Sequence, residues 1–211
     1  MTNAEIGPGE FYPVVGVGPH PKPWPTEKHF DPDVLENGDR RNVLDKYRYW
    51  SVSAIVEDLD TKRHSLQIAI ENWQHDLNIG SVVRTANAFN VEKVHIVGKR
   101  DWNRRGAMVT DKYLHVLHHP TVRDFKNWCD ENSVPIIGID NLPISKELES
   151  AKLPERSVLF FGQEGAGMSE EATAICEVVL AIKQYGSTRS MNASAAGAIA
   201  MYHWALQNLP R

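Results

Sequence analysis

Three polar stretches of this chain carry the residue types that bind or activate a ligand, and each follows what reads as the end of a strand. The longest, Ile182-Lys-Gln-Tyr-Gly-Ser-Thr-Arg-Ser-Met-Asn-Ala-Ser, runs into an alanine-rich stretch. Gly186, Ser187 and Thr188 are turn residues, and Ser190 or Asn192 can cap a helix whose first turn offers unpaired backbone N–H groups. Arg189 sets one cation just before that cap. The second stretch, Glu71-Asn-Trp-Gln-His-Asp-Leu-Asn-Ile-Gly-Ser-Val-Val-Arg, passes through a polar loop into a helix starting near Asn78. Arg84 sits there among the core-type residues Val82, Val83 and Ala86, so its guanidinium must find an anion or a carbonyl, either on a ligand or on a nearby acid of the fold.

The third stretch, Phe161-Gly-Gln-Glu-Gly-Ala-Gly-Met-Ser, places three glycines around a lone Glu164. Glycine allows positive φ and a close approach of backbone to ligand, and a plain tight turn is the alternative. No Gly-Lys-Ser/Thr follows and the G-x-G-x-x-G spacing is missing, so neither a P-loop nor a dinucleotide fingerprint is present. His115, His118 and His119 lack Glu-x-x-His or cysteine partners and read as surface or packing residues; no metal is expected. Cys129 and Cys176 lie far apart in helix-like stretches and read as buried free thiols.

The elements that must position these loops alternate. Leu66–Ile70, Lys93–Gly98, Val134–Ile139, Ser157–Gly162 and Val178–Ile182 read as strands. Residues 79–89, 121–132, 169–176 and 192–207 read as helices, the third opened by a cap at Ser169. Strand and helix in turn, with continuous apolar strands, predict an α/β fold: a mostly parallel sheet covered by helices on both faces. In such sheets ligands bind beyond the carboxyl ends of the strands, where all three polar stretches fall. The proline- and glycine-rich residues 1 to about 40 predict an arm without regular helix or strand, and 42–62 an amphipathic helix broken near Ser51. The expected organisation is an arm with a helical extension over 1–62 and one domain over 63–211.

Composition narrows the class further. With 42% apolar and 24% charged residues in 211, the chain reads as an ordinary globular protein. No apolar run approaches the ~20 residues of a membrane span, and the first residues lack a secretory pattern, so a cytoplasmic location is expected and no membrane partner. A net charge of −4 argues against whole-molecule attraction to nucleic acid but leaves room for a local basic patch.

Together, Asn78-x-Gly80-x-x-x-Arg84, Gly162-Gln-Glu-Gly-x-Gly-Met-Ser and Ser190-Met-Asn-Ala-Ser resemble, in order and spacing, the three motifs of the SpoU/TrmH family of RNA 2′-O-ribose methyltransferases, of the SPOUT class. The resemblance covers roughly residues 66 to 209. It implies a C-terminal deep trefoil knot, S-adenosylmethionine as methyl donor, tRNA or rRNA as substrate, and a homodimer. Gly162, Ile182 and Met191 match the residues that line the donor pocket, and the loop from Gln184 through Gly186 to Ser190 would close over it. Asn78, Arg84, Glu164, Ser190 and Asn192 fall on the family's catalytic positions, for in-line attack of a ribose 2′-hydroxyl on the sulfonium methyl.

Departures from the pattern are Gln163 for the common Ala, Lys183 for the common Pro, and Met191 for the common Leu. Lys183 either touches RNA or reaches solvent, and Arg189 suits a phosphate at the rim of the site. Arg100, Arg104 and Arg105, with Trp102 among them, have the composition of a single-strand RNA contact. A stripe of Ala195, Ala198, Ile199, Tyr202 and Leu206 on the last helix suits either a dimer interface or the sheet. The competing reading is a catalytically idle RNA-binding module on the same scaffold, and retention of Arg84, Glu164, Ser190 and Asn192 argues against it.

Overall fold

The computed structural model describes residues 16–73, 78–163 and 165–210. It divides into two compact units, the first ending at Asp58 and the second starting at Leu59.

In the first unit α1 spans Pro32–Asn37 and a 3-10 turn follows at Asp45–Tyr47; α2, Val52–Asp60, begins in this unit and ends in the second. The helix α1 corrects the expectation of an arm without regular structure. Proline is disruptive inside a helix but suits its first turn, and here Pro32 follows Asp31, whose carboxylate accepts from the Asp33 N–H at 3.0 Å. The helix expected over 42–62 is corrected too: α-helix is present there only over Val52–Asp60, and the residues of that range before Ser51 form no helix beyond the 3-10 turn. The centre of this unit is the buried carboxylate of Asp39. It accepts from Arg41 Nε at 2.8 Å and Nη2 at 2.6 Å and from the Tyr49 N–H at 3.0 Å. Against the cost of burial, these donors hold its pKa down at about 2.

The second unit is a seven-stranded sheet in which every strand pair is parallel. In chain order it runs β1 His64–Asn72, α3 Asn78–Ala88, β2 Val91–Gly98, β3 Val116–His119, α4 Val122–Glu131, β4 Ile136–Ile139, β5 Lys146–Glu147, β6 Ser157–Phe161, α5 Glu170–Ala174, β7 Val178–Ala181 and α6 Ala193–Asn208. Across the sheet the order is β3-β2-β1-β6-β4-β7-β5. The late strand β6 thus separates β1 from β4, and β4 lies between β6 and β7.

Period-two alternation sorts the strand residues into two cores. Leu66, Ile68, Ile70, Leu159 and Phe161 pack with α3 and α6 on one face, and Ala69, Val158 and Phe160 pack with α4 and α5 on the other. Burial on both faces is what the continuous apolar strands foretold, and each fully buried Val, Leu or Ile contributes about 1.5–3 kcal/mol. The helix α6 turns Gly197, Ala200, Met201 and Trp204 inward at helical spacing. Its opposite side leaves Ile199, Tyr202 and Leu206 exposed, so that part of the expected stripe does not pack on the sheet.

One polar network crosses the second core. His95 of β2 is fully buried; its Nδ1 meets His119 Nε2 at 2.9 Å and its Nε2 meets Gln67 Oε1 at 2.8 Å. Gln67 in turn donates to Glu92 at 2.9 Å. Burial, reinforced by the neighbouring His119 and Lys93, pushes the His95 pKa down to about 3. His118 bonds the Gly98 carbonyl and His115 pairs with Asp60, so all three histidines of the 115–119 run serve packing or the surface. Cys129 is a buried free thiol and Cys176 a half-buried one.

Candidate functional site

The carboxyl ends of β4, β6 and β7 open onto a cavity of about 940 Å³. Two loops form its opposite walls. The first leaves β6 at Gly162 and folds back at once: Gln163 and Gly167 exchange backbone hydrogen bonds of 3.1 and 3.0 Å. A Cβ on Gly162 would lie 2.1 Å from the Met168 nitrogen, so this glycine is required by the loop's own return path. Gly167 has φ +71°, and a side chain there would also meet the Asp140 carboxylate at 2.7 Å. The loop is held from below by Glu71, fully buried at the end of β1, which accepts from the Ser169 N–H at 2.8 Å and from Trp73 Nε1 at 2.8 Å. Ser169 caps α5 as expected, accepting from the Ala172 N–H at 3.1 Å.

The second wall is the loop from Ile182 to Asn192. The Lys183 N–H donates to Glu149 Oε1 at 3.0 Å, a bond the proline common at this position could not make. Its ammonium reaches Glu147 Oε1 at 3.2 Å, and that carboxylate raises the lysine's pKa. Lys183 is therefore an exposed residue paired within the fold. Asn192 caps α6, accepting from the Ser194 N–H at 3.0 Å, while its side-chain N–H₂ donates to Asn78 Oδ1 at 2.8 Å. That bond joins the stretch after β7 to the one after β1.

Gly162, Ile182, Gln184, Gly186 and Met191 all line this cavity, together with Arg189, Ser190 and Asn192. Asn78 stands one hydrogen bond behind the wall. Arg84 lies on α3, exposed and outside the cavity lining, and among the described residues no acid forms an ion pair with it. Glu164 lies outside the described residues.

The basic loop after β2 packs on α3 instead. A Cβ on Gly80 would meet the Ala107 nitrogen at 2.8 Å, which explains the glycine of the first motif. Arg100, Arg104 and Arg105 are exposed there, Arg104 pairing with Asp111 at 3.0 Å. Trp102 corrects the reading of this loop as an aromatic contact: it is 8% exposed and belongs to the core, because its ring is the apolar floor on which the loop sits.

Reasoning from residue types missed Asp140 and Asn141, which follow β4. Asp140 Oδ2 accepts from the Met168 N–H at 2.6 Å, Asn141 donates its side-chain N–H to the Arg189 carbonyl, and both line the cavity. The signal was available: they are the first residues beyond a parallel strand. What was hidden is that β4 lies between the two strands bearing the walls, so one residue reaches each wall.

An open parallel sheet with helices on both faces and a cavity beyond its central strands defines an α/β protein of the ligand-binding, doubly covered class. Residues 65–202 match the model of the SpoU rRNA Methylase family, and the chain belongs to that family. It is similar to the tRNA (guanosine(18)-2′-O)-methyltransferases of Borreliella burgdorferi, 26% identical over 82% of this chain and 79% of that protein, and of Thermus thermophilus, 23% identical over 74% and 81%. Its fold is similar to that of the A. aeolicus TrmH/SpoU tRNA modifying enzyme, with a TM-score of 0.65, 21% identity, and 74% of this chain and 81% of that one covered. The Streptomyces viridochromogenes SpoU methyltransferase AviRb in complex with AdoMet gives a TM-score of 0.63 at 20% identity, covering 71% and 63%.

Proposed function

We propose that this protein is an S-adenosylmethionine-dependent tRNA 2′-O-ribose methyltransferase. The observation that carries the reading is the cavity, whose two walls and backing residue come from the three stretches that resemble the family's motifs. Family membership and the activities by which the relatives are named agree with it. The residues present fit the methyl donor. About 940 Å³ lies within the ~300–1,000 Å³ usual for small-molecule sites. Ile139, Leu142 and Ile182 offer apolar walls, loop backbone offers polar edges, and Asp140 and Glu147 bring negative charge that suits a sulfonium.

When bound, S-adenosylmethionine supplies an electrophilic methyl group. The chain's own task is to hold the ribose and stabilise charge growing on its 2′-oxygen. A guanidinium with a pKa above ~12 is a poor base, so Arg84 serves as the cation for that oxygen or for the adjacent phosphate. Asn192, tied to Asn78, and Ser190 present the closing loop to the nucleotide, and Glu164 belongs to the same set by its place in the glycine loop. Arg189, at the cavity rim, meets a phosphate, and Arg100, Arg104 and Arg105 extend the RNA surface.

Further parts of the reading are a trefoil knot through the C-terminal segment, a methyltransferase domain over 63–211, a homodimer and a cytoplasmic location. Exposed Ile199, Tyr202 and Leu206 support pairing through α6. Among the described residues no helix is long and apolar enough to cross a membrane.

The test is incubation with labelled methyl donor and unmodified tRNA, digestion, and mass spectrometry of the nucleosides, starting with guanosine 18, where the relatives act. Arg84→Ala should lower kcat by roughly 100-fold or more with donor affinity unchanged, since Arg84 lies outside the cavity lining. A methylated base, or transfer indifferent to Arg84, would refute the mechanism; RNA binding without donor binding would favour the idle module.

A further inference from the structure

The side chain of Tyr185 is 87% exposed, more than any other large apolar residue described, although the loop bearing it is pinned on both sides. Before it, the Lys183 N–H is held by Glu149 and its ammonium by Glu147. After it, the Arg189 carbonyl accepts from Asn141 and, at 3.4 Å, from Gln184. The neighbours Gln184 and Gly186 line the cavity, and Tyr185 stands between them on its rim. Lys183 Nζ lies 5.9 Å from the ring centroid, so a fixed cation borders one side of the aromatic. A large ring given to water on an anchored loop does nothing for the fold that carries it.

Resting on the reading of the cavity as a ribose-methylating site, the requirement on the RNA follows from geometry. RNA is recognised for the most part at single-stranded loops whose bases are splayed out, and a nucleotide that turns its ribose into the cavity from such a loop leaves the bases next to it without a stacking partner. Sequence-tolerant binding of such bases is done by aromatic side chains flanked by cations. The local charge near the loop is mixed: Lys183, Lys146 and Arg189 against Glu147, Glu149 and Asp140. The aromatic face rather than net charge is therefore what this rim offers.

We propose that Tyr185 is a stacking platform at the cavity mouth, binding an unstacked base of the RNA at or beside the methylated nucleotide. Tyr185→Ala and Tyr185→Phe in the full-length chain provide the test, with three measurements: filter binding of unmethylated tRNA transcripts, calorimetric binding of S-adenosylmethionine without RNA, and oligomeric state by light scattering. One lost base stack predicts that Tyr185→Ala weakens tRNA binding by roughly 5- to 100-fold and Tyr185→Phe by less than about threefold. Donor affinity and oligomeric state should stay unchanged. A parallel loss of donor affinity would make Tyr185 a cover for the donor, a change in oligomeric state would make it an interface residue, and tRNA binding equal to wild type would leave it no role; each overturns the proposal. Absence of tRNA binding by the wild-type protein overturns it together with the RNA reading. If the transfer assay described above shows no methylation, Tyr185-dependent tRNA binding would keep Tyr185 as an RNA contact but overturn its place beside a methylated nucleotide, together with the methyltransferase reading.

Discussion

Mild acid should destabilise the second unit through His95, by an amount that follows from its pKa. The folded protein keeps His95 neutral, with a pKa of about 3, whereas the unfolded chain regains the ordinary value near 6.5. Below pH 6.5 the unfolded state therefore binds a proton that the folded state refuses, so stability is full above 6.5 and falls as pH falls toward 3. At ~1.36 kcal/mol per unit, the loss between about pH 7.5 and 5 is about 2 kcal/mol. His119, whose pKa burial also lowers, adds in the same direction. Asp39 does not confuse this window, because its depressed pKa of about 2 costs stability only below the ordinary carboxylate range. Urea unfolding at about pH 7.5, 6 and 5, followed by tryptophan fluorescence, measures the slope; Trp128 lies 4.5 Å from the His95 ring, centroid to centroid. His95→Gln removes the titrating group and should flatten the curve. A wild-type stability unchanged over that range, or an equal slope in His95→Gln, would refute the reasoning, as would an imidazole NMR signal of His95 titrating near 6.5.

Two further outcomes follow from the cavity walls. Gly162→Ala puts a Cβ 2.1 Å from backbone, so the glycine loop must move; donor affinity measured by calorimetry should fall roughly tenfold or more. Asp140→Ala removes both the acceptor of the Met168 N–H and a negative charge at the cavity and should weaken donor binding about tenfold, while Asp140→Asn, which keeps an acceptor oxygen but no charge, should fall between it and the wild type.

The strands with strong apolar runs were legible in the sequence, as were all four main helices of the second unit. Two strands were not. Val116–His119 mixes apolar residues with histidines because half its polar groups are satisfied inside the core, and Lys146–Glu147 is two exposed residues whose only strand property is its pairing with β7. At the site, glycines and turn residues announced the two cavity walls, and of the two caps the sequence offered, Ser190 and Asn192, the structure uses Asn192. Asp140 and Asn141 carried no such mark, since their importance comes from the strand order. Trp102 misled for the opposite reason: an aromatic among arginines has the composition of an RNA contact, and only burial reveals it as a floor.

The place of β6 between β1 and β4 bears on how the molecule comes into being. Strands in a sheet lie about 4.8 Å apart, so the place β6 takes spans about 10 Å between β1 and β4, and until β6 and β7 are made one edge of β1 and both edges of β4 have no partner strand. No local rearrangement closes that gap, because the filler is a segment synthesised later. A growing chain that has not reached Ser157 has the three strands β3-β2-β1 side by side and β4 and β5 with no strand to pair with, and one that has not reached β7 has a cavity with a single wall. Both walls of the cavity therefore depend on about the last quarter of the chain, which supplies β6, the glycine loop, β7 and the loop that leads into α6.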